Sequence, residues 1–201
     1  MSADEERGPD DLERGVISVG HTARARTERR IEGLEVVAEQ GVDSGALWAT
    51  VRRLAAGVTV VTAVGDEGYL GITVTALCLV SLEPPLILAC IHEHSAVLEA
   101  ILARRAVAVT LLSSRQEILS EMFAGRAPRP DPAFSTIAHR TVVTGAPVLK
   151  GGLAWLDCRL WQAYPGGDHT ICVGLVVAAG VAEGQDDPLL YFGSQYRRLA
   201  P

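Results

Sequence analysis

The sequence predicts a mainly β domain, in which a closed antiparallel barrel carries helices at its ends. Short β-branched or apolar runs recur between residues 58 and 192, and Gly, Pro and Asp residues separate most of them at hairpin spacing. The helical patterns between these runs are few and short. The chain has 201 residues, of which 48% are apolar, so it can bury one core but cannot hold two full-sized domains.

The first 44 residues differ from the rest in charge. They contain six Arg and eleven Asp or Glu, a net charge of −5, and the whole chain carries −6. Residues 1–30 are polar and lack aromatic side chains, which predicts disorder, whereas Arg26–Gln40 has the apolar spacing of a short amphipathic helix. We expect an acidic N-terminal extension over residues 1–44, either a solvated tail or a partner-binding arm, and one domain over residues 45–201.

Composition also limits the compartment and the partners. No apolar run approaches the roughly 20 residues that span a bilayer, and the N-terminus lacks the basic and apolar regions of a secretory signal. The negative net charge disfavours nucleic-acid binding. We therefore expect a cytoplasmic protein that binds neither membrane nor nucleic acid.

The domain is predicted to begin with a helix and a hairpin. Ala46–Ala56 places Leu47, Val51 and Leu54 on one helical face. The β-branched run Val58–Val64 is followed by an Asp-Glu-Gly turn and a second strand. This order predicts a β-hairpin directly after the first helix.

The second strand of that hairpin carries the first indication of a ligand. Thr73 and Thr75 share one face of it, and we expect it to lie opposite the apolar strand Leu86–Ile91 across a Glu-Pro-Pro corner at residues 83–85. An unpaired buried hydroxyl costs about 1–3 kcal/mol, so these threonines need a hydrogen-bond partner. A bound ligand is one candidate for that partner.

Two further helices are predicted in the middle of the chain. Ser95 is placed to cap a helix that runs to about Ala103, and Ala106–Leu112 is strand-like. Ser114 and Glu117 match a capping box for a second helix that ends near residue 123. Gly and Pro residues predict a loop over residues 125–132.

The last third is predicted to be almost entirely β. Strands are expected over Leu153–Tyr164, Thr170–Val181 and Leu189–Phe192, with a Pro-Gly-Gly-Asp turn between the first two. His169 follows this turn and can reach a site at the rim of a barrel. From the residues alone, however, we interpret it as a water-facing neighbour of a turn that the preceding Gly-Asp pair makes.

Familiar catalytic and metal motifs are absent from the sequence. It contains no GxGxxG after a strand, no P-loop and no GxSxG elbow. The four cysteines lie in apolar segments without CxxC spacing, which favours reduced, buried thiols over zinc. His92-Glu93-His94 would place two imidazoles on one face of a strand, but no third ligand is identifiable, so we favour a polar strand end and expect no metal.

Five segments occur in one order along the chain: AAGVTVVTA (55–63), GITVTALCLVSLEPPLILACI (71–91), MFAGR (122–126), GAPVLKGGLAWLDCRL (145–160) with GGDHTICVG (166–174), and PLLYFGSQYRRL (188–199). With them, residues 51–199 resemble the flavin reductase-like, FMN-binding split-barrel family, specifically the reductase components of two-component flavin-dependent monooxygenases. The resemblance implies a mainly β, FMN-binding split barrel of Greek-key type with flanking helices, which forms a homodimer.

The resemblance also implies a reaction. It is that of an NAD(P)H:flavin oxidoreductase that uses NADH or NADPH to reduce FMN or FAD and shares the diffusible reduced flavin with a partner monooxygenase. Two alternatives stay open. One is a non-catalytic flavoprotein or electron carrier with tightly bound FMN, and the other is a flavin-free split-barrel module that binds haem or only a protein partner.

Site residues follow from the family positions. Those near the flavin match Thr73, Val74, Thr75, Ala76, Ser81, Cys90, Ile91, His92, Ser95 and Phe123. Ser95, at a helix N-terminus, is well placed for a phosphate, and we add Arg126 as a candidate for neutralising phosphate charge. His169 matches a histidine beside the nicotinamide, so the resemblance favours a catalytic role in orienting the donor or stabilising the reduced flavin. Glu93 departs from the amide or basic residue that relatives often carry.

Overall fold

The structure is a computed structural model, and it describes residues 41–128, 134–184 and 186–199. The helices in these ranges are α1 (Ser44–Val51), α2 (Ala96–Arg104) and α3 (Glu117–Phe123). The strands are β1 (Ala56–Gly57), β2 (Thr59–Val64), β3 (Tyr69–Val74), β4 (Leu77–Leu82), β5 (Pro85–His92), β6 (Ala106–Leu111), β7 (His139–Thr141), β8 (Pro147–Leu149), β9 (Ala154–Gly166), β10 (His169–Val181), β11 (Leu190–Phe192) and β12 (Gln195–Arg197). The predicted mainly β architecture with flanking helices is confirmed.

Seven of these strands form one antiparallel sheet in the order β3-β2-β6-β9-β10-β5-β4. The long strands β9 and β10 pair along their whole length and leave only Gly167 and Asp168 to make the turn. On its other side β10 pairs with β5, which sets His169 opposite His92. The register of three strands therefore fixes the position of His169. Two smaller sheets, β1-β11-β12 and β7-β8, flank the large one.

The buried side chains form a main core between the large sheet and α2. Ile101 of α2 is buried together with Val61 of β2 and Ile91 of β5. Burial alternates along β5, as in a strand with one covered face, whereas β2 is buried on both faces. A second cluster surrounds α3 and includes Phe123 and Phe134. Helix α3 is thereby packed next to β3, the strand that carries the predicted flavin segment.

Several predicted elements are confirmed. The first hairpin forms from β2 and β3, and the Gly65 N–H donates to the Gly68 carbonyl at 2.8 Å in its turn. Ser95 is the N-cap of α2, and its Oγ accepts from the Val97 N–H at 3.2 Å. The strands predicted over residues 86–91, 106–112, 153–164, 170–181 and 189–192 are present as β5, β6, β9, β10 and β11. These elements have local signals that do not depend on distant partners.

The expected pairing of the threonine strand was wrong. Strand β3 pairs with β2, and the strand that meets β5 across the Glu-Pro-Pro corner is β4. The reason is a break at residues 75 and 76, which belong to no strand and separate β3 from β4. Strand β3 completes the first hairpin, and β4 forms a second hairpin with β5.

Two helix predictions also need correction. The capping box of Ser114 and Glu117 does not form, because α3 begins after Gln116, whose side chain makes no cap bond and instead accepts from the Ser113 N–H at 3.1 Å. Helix α1 spans Ser44–Val51 rather than residues 46–56, since residues 56 and 57 pair with β11. Its side chains are all exposed in the single chain.

Some predictions concern residues outside the described ranges. The N-terminal disorder and the helix predicted within Arg26–Gln40 lie there, and the loop over residues 125–132 is described only to residue 128. Within the described ranges, none of the helices has the length and apolar character that crossing a membrane requires. Strands β7 and β8, each of three residues, were not predicted.

Candidate functional site

Part of the predicted site lies at the end of β5, where two imidazole rings are in contact. His92 and His169 are paired in register, and their ring centroids lie 5.3 Å apart with an interplanar angle of 75°. The turn beyond them is fixed by the Glu93 N–H, which donates to the Asp168 carbonyl at 3.0 Å. The edge-to-face contact is a favourable geometry for aromatic rings. The fold thus joins the His-Glu-His segment and the Gly-Asp-His turn into one polar rim.

Asp168 gives the His169 ring a defined orientation. The Nδ1 atom of His169 lies 2.7 Å from Oδ1 of Asp168. Hydrogen bonding to His169 holds the pKa of the Asp168 carboxyl below its ordinary value, with smaller contributions from the His169 charge and from His92. Because an ionised carboxylate only accepts hydrogen bonds, we assign the proton of this contact to Nδ1 of His169. The residues alone predicted that His169 is a water-facing neighbour of the turn. The structure shows that Asp168 also fixes the orientation of its ring.

Residues 73–76 lie next to this rim. The Cys90 N–H donates to the Ala76 carbonyl at 3.1 Å, which places the break between β3 and β4 two residues from His92. Thr75 and Ala76 are exposed, and their N–H groups have no hydrogen-bond partner among the described residues. A short run of solvent-facing amides beside small side chains suits a flat heterocycle that has ring nitrogen and carbonyl acceptors.

The Thr73 hydroxyl already has a partner within the chain. Its Oγ1 donates to the Ser120 carbonyl of α3 at 2.7 Å. The expected need for a ligand at this hydroxyl is thus met by the protein itself. Thr75 does not share the face of Thr73 in a strand, since it lies past the end of β3.

A second group of predicted residues surrounds α3. Phe123 is buried and packs on Gly71 of β3, where an added Cβ would lie 2.6 Å from Cε1 of Phe123. The Ser120 hydroxyl is 2.9 Å from the Tyr196 hydroxyl of β12, so the end of the chain also holds this helix in place. Phe123 therefore packs against β3 and does not expose its ring.

Arg126 is engaged in an ion pair. Its Nε and Nη2 contact Glu121 at 3.0 and 2.7 Å, and Nη2 also donates to the Tyr196 hydroxyl at 3.1 Å. Hydrogen bonds from Arg126 and Tyr196 lower the pKa of Glu121, and the bond to Glu121 raises the pKa of Arg126. Burial and the bond to Glu121 raise the pKa of Tyr196. The charge predicted to meet a phosphate is thus already balanced by a carboxylate.

The other predicted positions have mainly local contacts. Ser81 is half-buried on β4, and its Oγ accepts from the Glu83 N–H at 3.1 Å. Val74 and Ile91 are buried in the core, so only their backbone can serve a ligand at the rim. Cys90 is half-buried beside Ala76. The predicted site residues therefore form two groups. One is the rim with His92, Ser95 and His169, and the other is the support, the residues packed around α3. Residues 73–76 lie between the rim and the support.

The cysteines and the His-Glu-His segment are the potential metal ligands of the sequence. Across residues 41–128, 134–184 and 186–199, no group of three or more His, Cys, Asp or Glu side chains is arranged to hold a metal ion. Burial raises the pKa of the Cys158 thiol to about 12 and that of Cys172 to about 11, as expected for inert thiols. Cys78 differs from the prediction, since it is exposed on β4.

Comparison with known proteins decides the family. The model of the flavin reductase like domain matches residues 51–200. The chain belongs to the flavin reductase family. The resemblance inferred from the five sequence segments is confirmed, and the matched range includes both the rim and its support.

This chain is also similar to individual members of the flavin reductase family. The chain is 43% identical over 147 residues to the reductase component of 4-hydroxyphenylacetate 3-monooxygenase from Thermus thermophilus, covering 73% of this chain and 91% of that protein. It is 35% identical over 147 residues to the FMN reductase (NADH) RutF of Agrobacterium fabrum, covering 73% and 83%. The solved NADH:FAD oxidoreductase SgcE6 of Streptomyces globisporus C-1027, in complex with NAD and FAD fragments, superposes with a TM-score of 0.71 at 32% identity, covering 81% and 98%.

Sequence reasoning missed the groups that hold the site in this flavin reductase. Ser120, Glu121 and Tyr196 join α3, β3 and the end of the chain, yet Tyr196 is 75 residues from Glu121. The buried carboxylate of Asp157 accepts from the Val143 and Thr144 N–H groups at 2.7 and 2.9 Å and anchors the loop before β8. Tyr196 lies in a segment that carried the resemblance, which was the one available signal for it.

Proposed function

We propose that this chain is an NAD(P)H:flavin oxidoreductase that reduces FMN or FAD and supplies the reduced flavin to a partner monooxygenase. The proposal covers a cytoplasmic homodimer built from a split β-barrel of Greek-key type over residues 45–201, with residues 1–44 as an extension. The observation that carries it is the oriented His169 at an accessible rim, beside the solvent-facing amides of Thr75 and Ala76. The named reductases among the relatives support this activity and the NADH donor.

The flavin would lie along residues 73–76 and the end of β5. The N–H groups of Thr75 and Ala76 are free to donate to ring acceptors, and Cys90 and His92 border the same space. Ser95 keeps a hydroxyl proton to donate to a phosphate while its Oγ caps α2. Thr73, Val74, Ser81, Ile91 and Phe123 act mainly by holding this frame. Arg126 reaches a phosphate only as part of its pair with Glu121.

The chain's own contribution to the reaction is binding and orientation. A bound flavin supplies the hydride-accepting ring, so no acid-base triad is needed. His169 is fixed by Asp168 on one side and by the His92 ring on the other, and its side chain is 41% exposed. Holding the donor ring in one geometry lowers the entropic part of the barrier. We therefore assign His169 the catalytic role of orienting the nicotinamide.

The dimer is proposed from exposed apolar side chains. Leu79, Val80 and Leu82 of β4 are 63, 48 and 80% exposed, and Leu47 and Trp48 of α1 are 53 and 59% exposed. Apolar groups of this size, clustered on one edge strand and one helix, are typical of surfaces that a partner covers. A second copy of the chain is the partner that the family resemblance implies.

Anaerobic mixing of the purified protein with flavin and NADH or NADPH tests the activity. We expect the visible absorbance of oxidised FMN or FAD to bleach at a rate that depends on protein concentration. A protein that fails to accelerate bleaching with every combination of nucleotide and flavin is not a flavin reductase.

Dialysis of the flavin-loaded protein separates a diffusible-flavin reductase from an electron carrier. The reductase is expected to lose its yellow colour during dialysis and to regain activity when flavin is added back. Retention of the colour would favour the carrier with tightly bound FMN, and failure to take up flavin at all would favour the flavin-free module.

A further inference from the structure

We propose that His92 and His169 together bind the carboxamide of the nicotinamide donor. In this arrangement Nε2–H of His92 donates to the carboxamide oxygen, and Nε2 of His169 accepts from the carboxamide NH₂. The proposal rests on the proposed function, because it names a contact to the same hydride donor. It adds His92, which precedes Glu93 in the His-Glu-His segment, as a determinant of donor specificity.

The first half of the pair follows from the tautomer of His92. The His94 backbone N–H donates to Nδ1 of His92 at 3.2 Å. An imidazole nitrogen that accepts a hydrogen bond carries no proton, so the proton of the neutral ring is on Nε2. The turn between β5 and α2 thereby makes Nε2 of His92 a hydrogen-bond donor.

The second half follows from the opposite arrangement at His169. Its Nδ1 is 2.7 Å from the Asp168 carboxylate and carries the proton of that contact. In the uncharged form of the ring, Nε2 is therefore unprotonated and accepts hydrogen bonds. Nε2 of His92 is thus a hydrogen-bond donor, and Nε2 of His169 is a hydrogen-bond acceptor.

The two rings are close together and open to a ligand. Their centroids are 5.3 Å apart, His92 is exposed, and the His169 side chain is 41% exposed. Within the part of the chain that the structure describes, neither Nε2 atom has a hydrogen-bond partner. Both polar groups are available at the rim where the donor ring is proposed to bind.

A primary carboxamide matches this pair because it has an acceptor and a donor on one carbon. A carboxylate in its place would have no donor for His169 and would meet the Asp168 and Glu93 carboxylates at the same rim. A ketone would satisfy His92 but leave the His169 acceptor unpaired. The pair therefore predicts a preference for the amide over both analogues.

Calorimetric titration of the flavin-loaded protein with NAD⁺ and with 3-acetylpyridine adenine dinucleotide tests the inference. The analogue replaces the carboxamide NH₂ by a methyl group of similar size. We expect wild-type protein to bind NAD⁺ about 5-fold more tightly than the analogue, the effect of one lost hydrogen bond. His169→Phe should abolish this difference. His92→Phe, which keeps an edge-to-face ring, should weaken both ligands by about 5-fold and preserve their ratio.

His94→Phe is the matched control, since its side chain is 81% exposed and its backbone N–H is retained. It should bind both nucleotides as the wild type does. ¹⁵N spectra of the wild-type histidines provide a readout without substitution, and NAD⁺ should shift the Nε2 signals of His92 and His169 and leave that of His94 unchanged.

Equal affinity of the wild type for the two nucleotides, or unchanged NAD⁺ affinity in His92→Phe, would overturn the inference. If the same protein still bleaches flavin with NADH, the proposed function stands and only the carboxamide contact is wrong. If it neither binds NAD⁺ nor bleaches flavin, both proposals fail.

Discussion

His169 is the residue on which the proposed reaction depends most. Its ring is held by a carboxylate 2.7 Å from Nδ1 and by a second imidazole at 5.3 Å between centroids. His92 ends β5, and Asp168 lies in the two-residue turn between β9 and β10. The ring position is therefore set by the β5-β10-β9 register and a tight turn. Such an arrangement suits a group that orients a substrate.

Replacing His169 by Ala should slow flavin reduction by about 100-fold at saturating nucleotide, because misplacement of the donor ring by about 1 Å has effects of that size. Flavin affinity should change by less than the rate, since the proposed flavin site relies mainly on backbone groups of residues 73–76. Stopped-flow reduction and fluorescence titration of flavin measure the two quantities. His94→Ala is the control, and an equal loss of rate and affinity in His169→Ala would remove His169 from the hydride step.

Individual site residues were predictable to the extent that their role is local. The cap made by Ser95 depends on the next two residues and was predicted correctly. The partner of the Thr73 hydroxyl is 47 residues away, so the sequence could indicate the need for a partner but not which group meets it. The resemblance implied His92 and His169 as two separate site positions and did not predict their contact. The pairing register of β5 and β10 brings the two rings together.

At the scale of elements, the contact between α3 and β3 supports the proposed flavin segment. Gly71 allows this contact, because an added Cβ would lie 2.6 Å from the buried Phe123 ring. Gly71→Ala should destabilise the fold by about 1–3 kcal/mol, the usual effect of overpacking a core. Denaturant unfolding measures this change.

Gly57→Ala is the matched control for Gly71→Ala, since nothing lies within 4 Å of its added Cβ. It should have little effect on the free energy of unfolding. Equal stability of Gly71→Ala and the wild type would show that Phe123 is not held against β3.

The Glu121 pair gives α3 a pH-dependent stabilisation. Hydrogen bonds from Arg126 and Tyr196 hold the folded-state pKa of Glu121 below its unfolded value of about 4.3. The carboxylate therefore stabilises the fold fully above that value, and its contribution disappears as pH falls through the folded-state pKa. Glu121→Gln should lower Tm at neutral pH by about 2–4 °C, corresponding to about 1 kcal/mol.

Thermal melts of the wild type and Glu121→Gln across the acidic range test this dependence. The difference in Tm should shrink as the pH falls below the ordinary pKa of a glutamate. A difference that stays constant down to strongly acidic pH would show that the variant acts through packing rather than through charge.

Elements were predictable wherever the pattern was local and long enough. The hairpin of β2 and β3 and the paired long strands β9 and β10 have alternating or apolar runs and clear turns. The hairpin partner of β3 was predicted correctly, but its expected position opposite β5 was wrong, because the two-residue break at Thr75 and Ala76 leaves no signal in hydrophobicity. The start of α3 was mistaken because a local capping match competes with the contact of Ser114 to Asp187, whose carbonyl accepts from the Ser114 N–H at 2.8 Å.

At the scale of the whole molecule, the proposed homodimer accounts for the exposed edge strand β4. Leu82 is 80% exposed in the single chain and lies on the same strand as Leu79 and Val80. Leu82→Asp should shift the protein from dimer to monomer in sedimentation velocity, because an unpaired charge in an apolar interface is strongly unfavourable. Flavin affinity should fall in parallel if the second subunit completes the site.

Leu102→Asp on α2 is the control for this prediction, since Leu102 is also exposed, at 46%, but lies on a different element. It should leave the dimer intact. A monomeric wild type, or a dimer that withstands Leu82→Asp, would contradict the proposed interface on β4.

The most direct test of the proposed activity follows the hydride itself. Anaerobic stopped-flow mixing of the flavin-loaded protein with NADH or with NADH deuterated at nicotinamide C4 measures the rate of flavin bleaching. If the chain holds the donor against the flavin for direct transfer, deuterium on the transferred face should slow bleaching, and deuterium on the other face should not. Absence of bleaching with either nucleotide donor and either flavin would contradict the account, as would bleaching that proceeds no faster than in a solution without the protein.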